Sequence, residues 1–227
     1  SIQARAQVPV LGHADGICHV FIEANADPEK ARKVVLDSKT DYPAVCNALE
    51  TLLVDQDLNP ELLKKIMEDL VRAGVEIRAC PDTQKKLEGH SQLEMGNASE
   101  EDWKTEHLEM VLSVKTVAGL EEAIQHINRY GSNHTDSIVT ESREAAERFM
   151  NEVDSAGVFW NASTRFADGF RYGLGAEVGV STCKTHARGP VGLEGMVIYK
   201  YKLYGSGQGA GSYSKGERKF MHQPLET

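Results

Sequence analysis

Short apolar runs alternate with amphipathic stretches along the first 160 residues, and this alternation limits the folds open to the chain more than any other feature. Ile17 to Ile22 is apolar and rich in β-branched residues, which predicts a buried strand. Pro28 to Ser38 carries Ala31, Val34 and Val35 opposite a charged face, so a helix is expected there with Asp27 as its N-cap. Glu50 to Val54 reads as the next strand. Asn59-Pro60 then opens a helix with Leu62, Leu63, Ile66, Leu70 and Val71 on one face. Further strands are predicted at Val75–Ala79, Val111–Val117, Ser137–Thr140 and Gly157–Trp160, with helices at Leu120–Tyr130 and Ser142–Val153. Strands this continuously apolar, each followed by a helix, imply an α/β fold with a largely parallel sheet covered on both faces. The polar stretch from Leu87 to Lys104 is expected to be a loop or insertion.

After Asn161 the pattern changes. Glycine and aromatic residues dominate Phe166 to Gly179, Met196 to Tyr204 alternates as an exposed strand would, and Gly205 to Gly211 reads as a flexible run. This tail is expected to leave the sheet domain and cover another domain or subunit.

The 227 residues are 41% hydrophobic, enough for one substantial core. A net charge of −9 argues against a general nucleic-acid binder, and no apolar run is long enough to span a bilayer. Residues 1–9 lack a secretory apolar stretch and an initiator Met, so an excised piece is expected. Cys18, Cys46, Cys80 and Cys183 are widely spaced, as reduced thiols of a cytosol or organelle matrix are.

Among these thiols Cys46 has the most telling context, Asp41-Tyr42-Pro43-Ala44-Val45-Cys46-Asn47. Pro43 ends an extended approach, and the residues after Cys46 could form a short helical turn. Free backbone N–H groups there would lower the thiol pKa and stabilise an oxyanion. On spacing alone, a small buried residue packing like alanine is the simpler reading. Cys18 and Cys80 read as core. His13, Cys18 and His19 give no closed tetrahedral metal set, so no metal is expected. Arg165, Arg171, His186 and Arg188 form a basic stretch suited to phosphate or carboxylate, or to pairing with Asp168, Glu177 and Glu194.

Taken together, several segments resemble the γ-glutamyl phosphate reductase family, a branch of the aldehyde dehydrogenase superfamily. They are Pro9 to Val20 with its Gly12-His13-Ala14-Asp15-Gly16, the Cys46 segment, Val117 to Ile138 ending in Gly131-Ser132-Asn133-His134-Thr135-Asp136, Trp160 to Phe166, Tyr172 to Thr182, and His186 to Gly195. The resemblance runs almost end to end, weakest from Leu87 to Asp102 and after Gly205. It overturns the alanine-like reading of Cys46 and implies an aldehyde-dehydrogenase-like catalytic domain.

The activity it implies is NADPH-dependent reduction of L-glutamyl 5-phosphate to L-glutamate 5-semialdehyde, a step of proline synthesis, through a Cys46 thioester. It makes Cys46 and Asn47 the catalytic candidates and Glu106 the cofactor contact. His134, Asn161, Arg165, Arg171 and Arg188 become candidates for the substrate. Hydrolytic members of the superfamily carry a Glu base in a Glu-Leu-Gly-Gly segment. Here Val10 to Gly16 has none, which suits a thioester meant for hydride rather than water. The resemblance further implies a preceding cofactor domain, since no glycine-rich dinucleotide fingerprint occurs before Cys46. The expected division is a remnant at 1–15, a thiol domain at 16–165, and a C-terminal segment at 166–227 with an oligomerisation strand. Such a piece should fold, bind NADPH poorly and turn over little. A homo-oligomer, pairing with a glutamate 5-kinase, and a cytoplasmic location (mitochondrial matrix in a bifunctional synthase) belong to the same expectation. Two rival readings stay open: a Cys/His acyl-transfer enzyme or hydrolase using His13, His19 or His134 without nicotinamide, and an assembly module.

Overall fold

The structure, a computed structural model, describes residues 5–89 and 93–221. Residues 1–4, within the expected remnant, 90–92, within the expected loop, and 222–227, within the expected tail, lie outside the described residues. Two compact units are present, Ser1–Met196 and Val197–Thr227.

In the first unit, strand and helix alternate in chain order: β1 (Cys18–Ile22), α1 (Pro28–Thr40), β2 (Leu49–Asp55), α2 (Pro60–Arg72), β3 (Glu76–Ala79), α3 (Pro81–Lys86) and β4 (Met95–Asn97). Then follow β5 (Val111–Val117), α4 (Leu120–Tyr130), β6 (Thr135–Val139), α5 (Arg143–Glu152) and β7 (Gly157–Trp160). These strands make one sheet in the order β4-β3-β5-β2-β1-β6-β7, and every pairing is parallel. The helix starts follow local chemistry. Asp27, Asn59 and Ser142 each accept a backbone N–H in the first turn, and Pro28 and Pro60 occupy positions where a missing N–H costs nothing.

Because strand side chains alternate between faces, β1 feeds two cores. Val20 and Ile22 join Val35, Leu63, Ile66 and Leu70 on the face covered by α1 and α2. Phe21 joins Ile124, Ile127, Ala146 and Phe149 under α4 and α5. A strand buried on both faces cannot show polar alternation, which is why the sequence reads as continuous apolar runs.

Two expectations are corrected here. The Leu87–Lys104 stretch is not only loop: Met95–Asn97 adds an edge strand beside β3, and a 3₁₀ turn at Asp102–Lys104 buries Trp103. The short strand escapes recognition because its side chains are mostly solvent-facing. Val197–Tyr204 forms no strand. It runs as exposed coil, because alternation alone cannot satisfy a strand's backbone without a partner. Within that second unit the described residues contain one short helix, α6 (Gly211–Ser214), with Tyr213 stacked on Phe220 at 4.7 Å. After β7 the first unit adds an antiparallel hairpin, β8 (Gly179–Ser181) and β9 (Gly189–Val191). Among the described residues no helix is long and apolar enough to cross a membrane.

Phe149 is fully buried and stacks on Phe21 with ring centroids 6.5 Å apart. Phe149→Ala should therefore lower unfolding free energy by about 3–5 kcal/mol in a urea titration of this chain.

Candidate active site at the amino edge of the sheet

Parallel strands all begin at the same edge, so segments far apart in sequence meet there. Cys46 lies just before β2, His134 immediately before β6, and Gly12 to Gly16 just before β1. The Ala48 N–H donates to the Val45 carbonyl at 3.0 Å, closing a β-turn with Cys46 and Asn47 at its two middle positions. The helical turn expected after Cys46 does not form, because β2 begins at Leu49 and leaves it no room.

The segment before β1 is pressed onto this turn. A Cβ on Gly16 would fall 2.2 Å from the Cys46 carbonyl oxygen and 2.4 Å from its Cα, so only glycine allows the approach. The buried Cys18 thiol donates to the same carbonyl at 3.2 Å. Three residues upstream of Gly16, His13 Nδ1 donates to the Val180 carbonyl at 2.8 Å, and Thr182 N–H reaches Gly12 O at 3.4 Å, so the β8–β9 hairpin holds His13 in place. His134 is fully buried, with Nδ1 3.0 Å from the Thr135 hydroxyl and its ring edge-on to His13 at 5.0 Å. The result is a convergence of three reactive side chains: donor atoms of His13, Cys46 and His134 all lie within 4.8 Å of one another.

The electrostatics around Cys46 oppose ionisation. Burial raises its thiol pKa first and the Glu106 carboxylate next; its own backbone N–H pulls it down, Glu177 raises it again, and Arg165 lowers it least. The expected lowering by a helix N-terminus is absent because no helix starts there. Burial, helped by the charge of His13, takes His134 down to about 4, so that ring is neutral near pH 7.

Glu106 owes its position to a buried tether. The Leu108 N–H donates to Glu50 at 3.2 Å, Glu50 pairs with Lys39 at 3.0 Å, and both charged side chains are wholly enclosed. Burial pushes Glu50 up to about 7 and lowers Lys39. Leu108 sits at φ +57°, the bend by which the chain passes from Glu106 toward β5.

The arginines divide. After β7, Asn161 adopts φ +54° with its amide bonded to Thr140, and the chain turns back until Asn47 Nδ2 reaches Ala167 O at 3.0 Å. Asn161 itself therefore stays at the carboxyl edge, across the sheet from Cys46. The return carries Arg165 to Asp41 (3.0 Å) and to the Asn47 side chain, while Arg171 reaches Asp41 at 3.8 Å and the Arg165 carbonyl. Arg188 lies further along the same edge, held with Lys184 on Asp154 just before β7, and His186 is exposed. Of the predicted residues, Cys46, Asn47, Glu106, His134, Arg165, Arg171 and Arg188 lie at this edge, Arg188 at its β7 end, and Asn161 does not. Sequence reasoning missed Gly16 and Asp41; only the Gly12-His13-Ala14-Asp15-Gly16 motif hinted at the former.

His13, Cys46 and His134 are donors of the kind zinc takes, but three side chains alone do not close the tetrahedral set of a structural site. An apolar cleft of about 430 Å³, lined by Leu11, Val178, Val180, Val191 and Met196, opens beside His13. A cleft of about 640 Å³ at the opposite edge collects Lys85, Lys86 and Lys115 but no exposed nucleophile.

No family model matches the chain. It is 54% identical over 224 residues to the γ-glutamyl phosphate reductase of Acetivibrio thermocellus, covering 99% of this chain and 51% of that protein. It is 51% identical over 227 residues to the one from Methanococcoides burtonii, covering 100% and 51%. The crystal structure of γ-glutamyl phosphate reductase from Thermotoga maritima superposes with TM-score 0.85 at 42% identity, over 91% of this chain and 49% of that one. An acetylating aldehyde dehydrogenase from Geobacillus thermoglucosidasius, 18% identical with TM-score 0.61, shares the fold over 89% of this chain and 54% of its own. The chain thus spans about half the length of the curated relatives it matches.

Gly16→Ala should displace the Cys46 backbone, since the clash is with main chain and cannot relax by side-chain rotation. A misplacement of that order is expected to slow Cys46-dependent chemistry by about 10²-fold, with the far-UV dichroism of the chain unchanged.

Proposed function

We propose, from the kinship of this chain with about half the length of the γ-glutamyl phosphate reductases, that it carries the thiol chemistry of an NADPH-dependent reduction of L-glutamyl 5-phosphate to L-glutamate 5-semialdehyde. The observation that carries the reading is the half-buried Cys46 in a turn flanked by His13 and His134, at the edge where Glu106 and Arg165 also converge.

In this reading Cys46 Sγ attacks the acyl carbon, the C–O bond to phosphate breaks, and the acyl group remains as a thioester. The oxyanion formed on the way faces the backbone N–H groups of Cys46 and Asn47. Asn47's side chain is already committed to Ala167 and Arg165, so its contribution is positional beyond that amide. Arg171, more exposed than Arg165, is the better placed of the two for a substrate carboxylate or phosphate, while Arg165 holds Asn47. His134 borders the thiol as a neutral hydrogen-bonding group. Arg188 and Asn161, engaged with Asp154 and Thr140, are given no substrate role.

For the nicotinamide the chain offers one fitting residue: Glu106 is close enough to Cys46 to act on its charge, and a carboxylate on a tethered loop suits a ribose hydroxyl. The hydride that reduces the thioester is supplied by NADPH when bound. A glycine-rich turn for its pyrophosphate would have to come from outside this sequence. The lability of an acyl phosphate favours close supply by a glutamate 5-kinase, which belongs to the same proposal, as do a cytoplasmic setting and a homo-oligomer.

The thiol beside two imidazoles also suits a Cys/His hydrolase, and that is the second reading. The two part on one measurement. With freshly made L-glutamyl 5-phosphate and no nicotinamide, the reductase reading expects a stable acyl adduct on Cys46 by intact mass, absent in Cys46→Ser. Steady release of free glutamate instead would support the hydrolase, and an adduct persisting in Cys46→Ser would end both.

A further inference from the structure

We infer that His13 is the general base that ionises Cys46 and then the acid that protonates the departing phosphate. The inference rests on the Cys46 reading above and adds to it a residue that the reading does not need for its identity.

A carbonyl oxygen can only accept, so the 2.8 Å contact from His13 Nδ1 to Val180 O fixes a proton on Nδ1. In the neutral ring the lone pair is then on Nε2. Nucleophile, base and orienting acceptor are thereby Cys46, His13 and the Val180 carbonyl, the three-part logic by which a weak nucleophile is activated. The thiol and the imidazole lie within 4.8 Å, and such pairs are commonly loose without substrate and tighten when it binds.

His134 is the weaker candidate: it is fully buried, and burial takes it down to about 4, which leaves a poor proton acceptor. His13 is half-buried and able to exchange its proton with water. The need for a base is set by the other groups around the thiol: Glu106 from the loop before β5 and Glu177 from the segment before β8 both oppose the thiolate, and Arg165 compensates only in part. His134 just before β6, Cys18 of β1, whose buried thiol donates to the Cys46 carbonyl, and Cys183, whose thiol approaches Gly12 O at 4.0 Å, are the other ionisable groups nearby.

The step balances without an added reagent. The Sγ–H proton passes to His13 Nε2 as the Sγ–C bond forms. The C–O bond to phosphate breaks with its electron pair on oxygen, and the imidazolium returns that proton to the leaving phosphate. No electron is gained or lost until hydride arrives.

The test uses the whole chain and follows Cys46 acylation by L-glutamyl 5-phosphate, as phosphate release and as intact mass, from about pH 6 to about pH 10. His13→Ala should slow acylation at neutral pH by about 10²-fold or more, and the deficit should close as alkali ionises the thiol directly. Alkylation by iodoacetamide over the same range needs no substrate and should show the same convergence. His13→Gln, which keeps a polar side chain of similar reach, should repeat the result if alanine perturbs folding. Equal rates for wild type and both variants, with Cys46→Ser inert, would overturn the role of His13 alone. A deficit that stays constant with pH would overturn it too, by marking a purely structural contact. Acylation that survives Cys46→Ser would instead defeat the nucleophile itself.

Discussion

Seven strands running the same way impose the constraint on which the rest of the molecule depends. Parallel pairing forbids tight hairpins, so each connection must cross a face of the sheet, and each face must be covered by helices. The same constraint sorts the loops. Every connection leaves from the carboxyl edge and returns to the amino edge; the Cys46 turn and His134 end such returns, and Gly12–Gly16 enters β1 at the same edge. Residues from three parts of the chain are adjacent because the strands they precede, β1, β2 and β6, are neighbours in the sheet.

That location has an electrostatic consequence. Helices between parallel strands run antiparallel to them, so their carboxyl ends, with negative dipole character, lie at the amino edge. α1 ends beside Asp41 and α4 ends just before His134. Burial, Glu106 and Glu177 push the Cys46 thiol in the same direction. An edge of this kind favours neither a thiolate nor any other anion. Positive groups must be imported, and the chain does so after β7, where the bend at Asn161 returns Arg165 and Arg171 to Asp41 and Asn47. The carboxyl edge, where helices begin and Lys85, Lys86 and Lys115 gather, has the potential the amino edge lacks but no exposed nucleophile.

The parts legible in the sequence were those with a period. β1, β2, β3, β5, β7 and the helices α1, α2, α4 and α5 follow from apolar runs, heptad-like spacing and cap residues, since local chemistry and burial agree there. Less legible were features made by contact at a distance. Nothing near Cys46 in sequence reveals that Gly16 touches its backbone or that the Val180 carbonyl orients His13. The helical turn expected at Cys46 failed for a local reason, the early start of β2, and the strand expected over Met196–Tyr204 failed because alternation says which faces differ, not whether a neighbouring strand exists. The basic stretch from Arg165 to Arg188 looked like one patch because its members are close in sequence; the β8–β9 hairpin places Arg188 with Asp154 instead.

The segment after β7 is therefore as much a part of the site as the sheet. It supplies the carbonyl that sets the His13 tautomer, both the Glu177 carboxylate that opposes the thiolate and the Arg165 guanidinium that offsets it in part, and the walls of the apolar cleft beside His13. A rigid sheet can fix where a thiol stands, but at an edge of unfavourable potential it cannot by itself make the thiol react. Here the division of labour is physical: hydrogen-bonded strands set position, and the returning chain sets the charge around the thiol and, through the proposed role of His13, its proton transfer. A change in the hairpin that left the sheet intact would thus alter the chemistry of Cys46 without moving its backbone, whereas a change at Gly16 would alter it by moving that backbone.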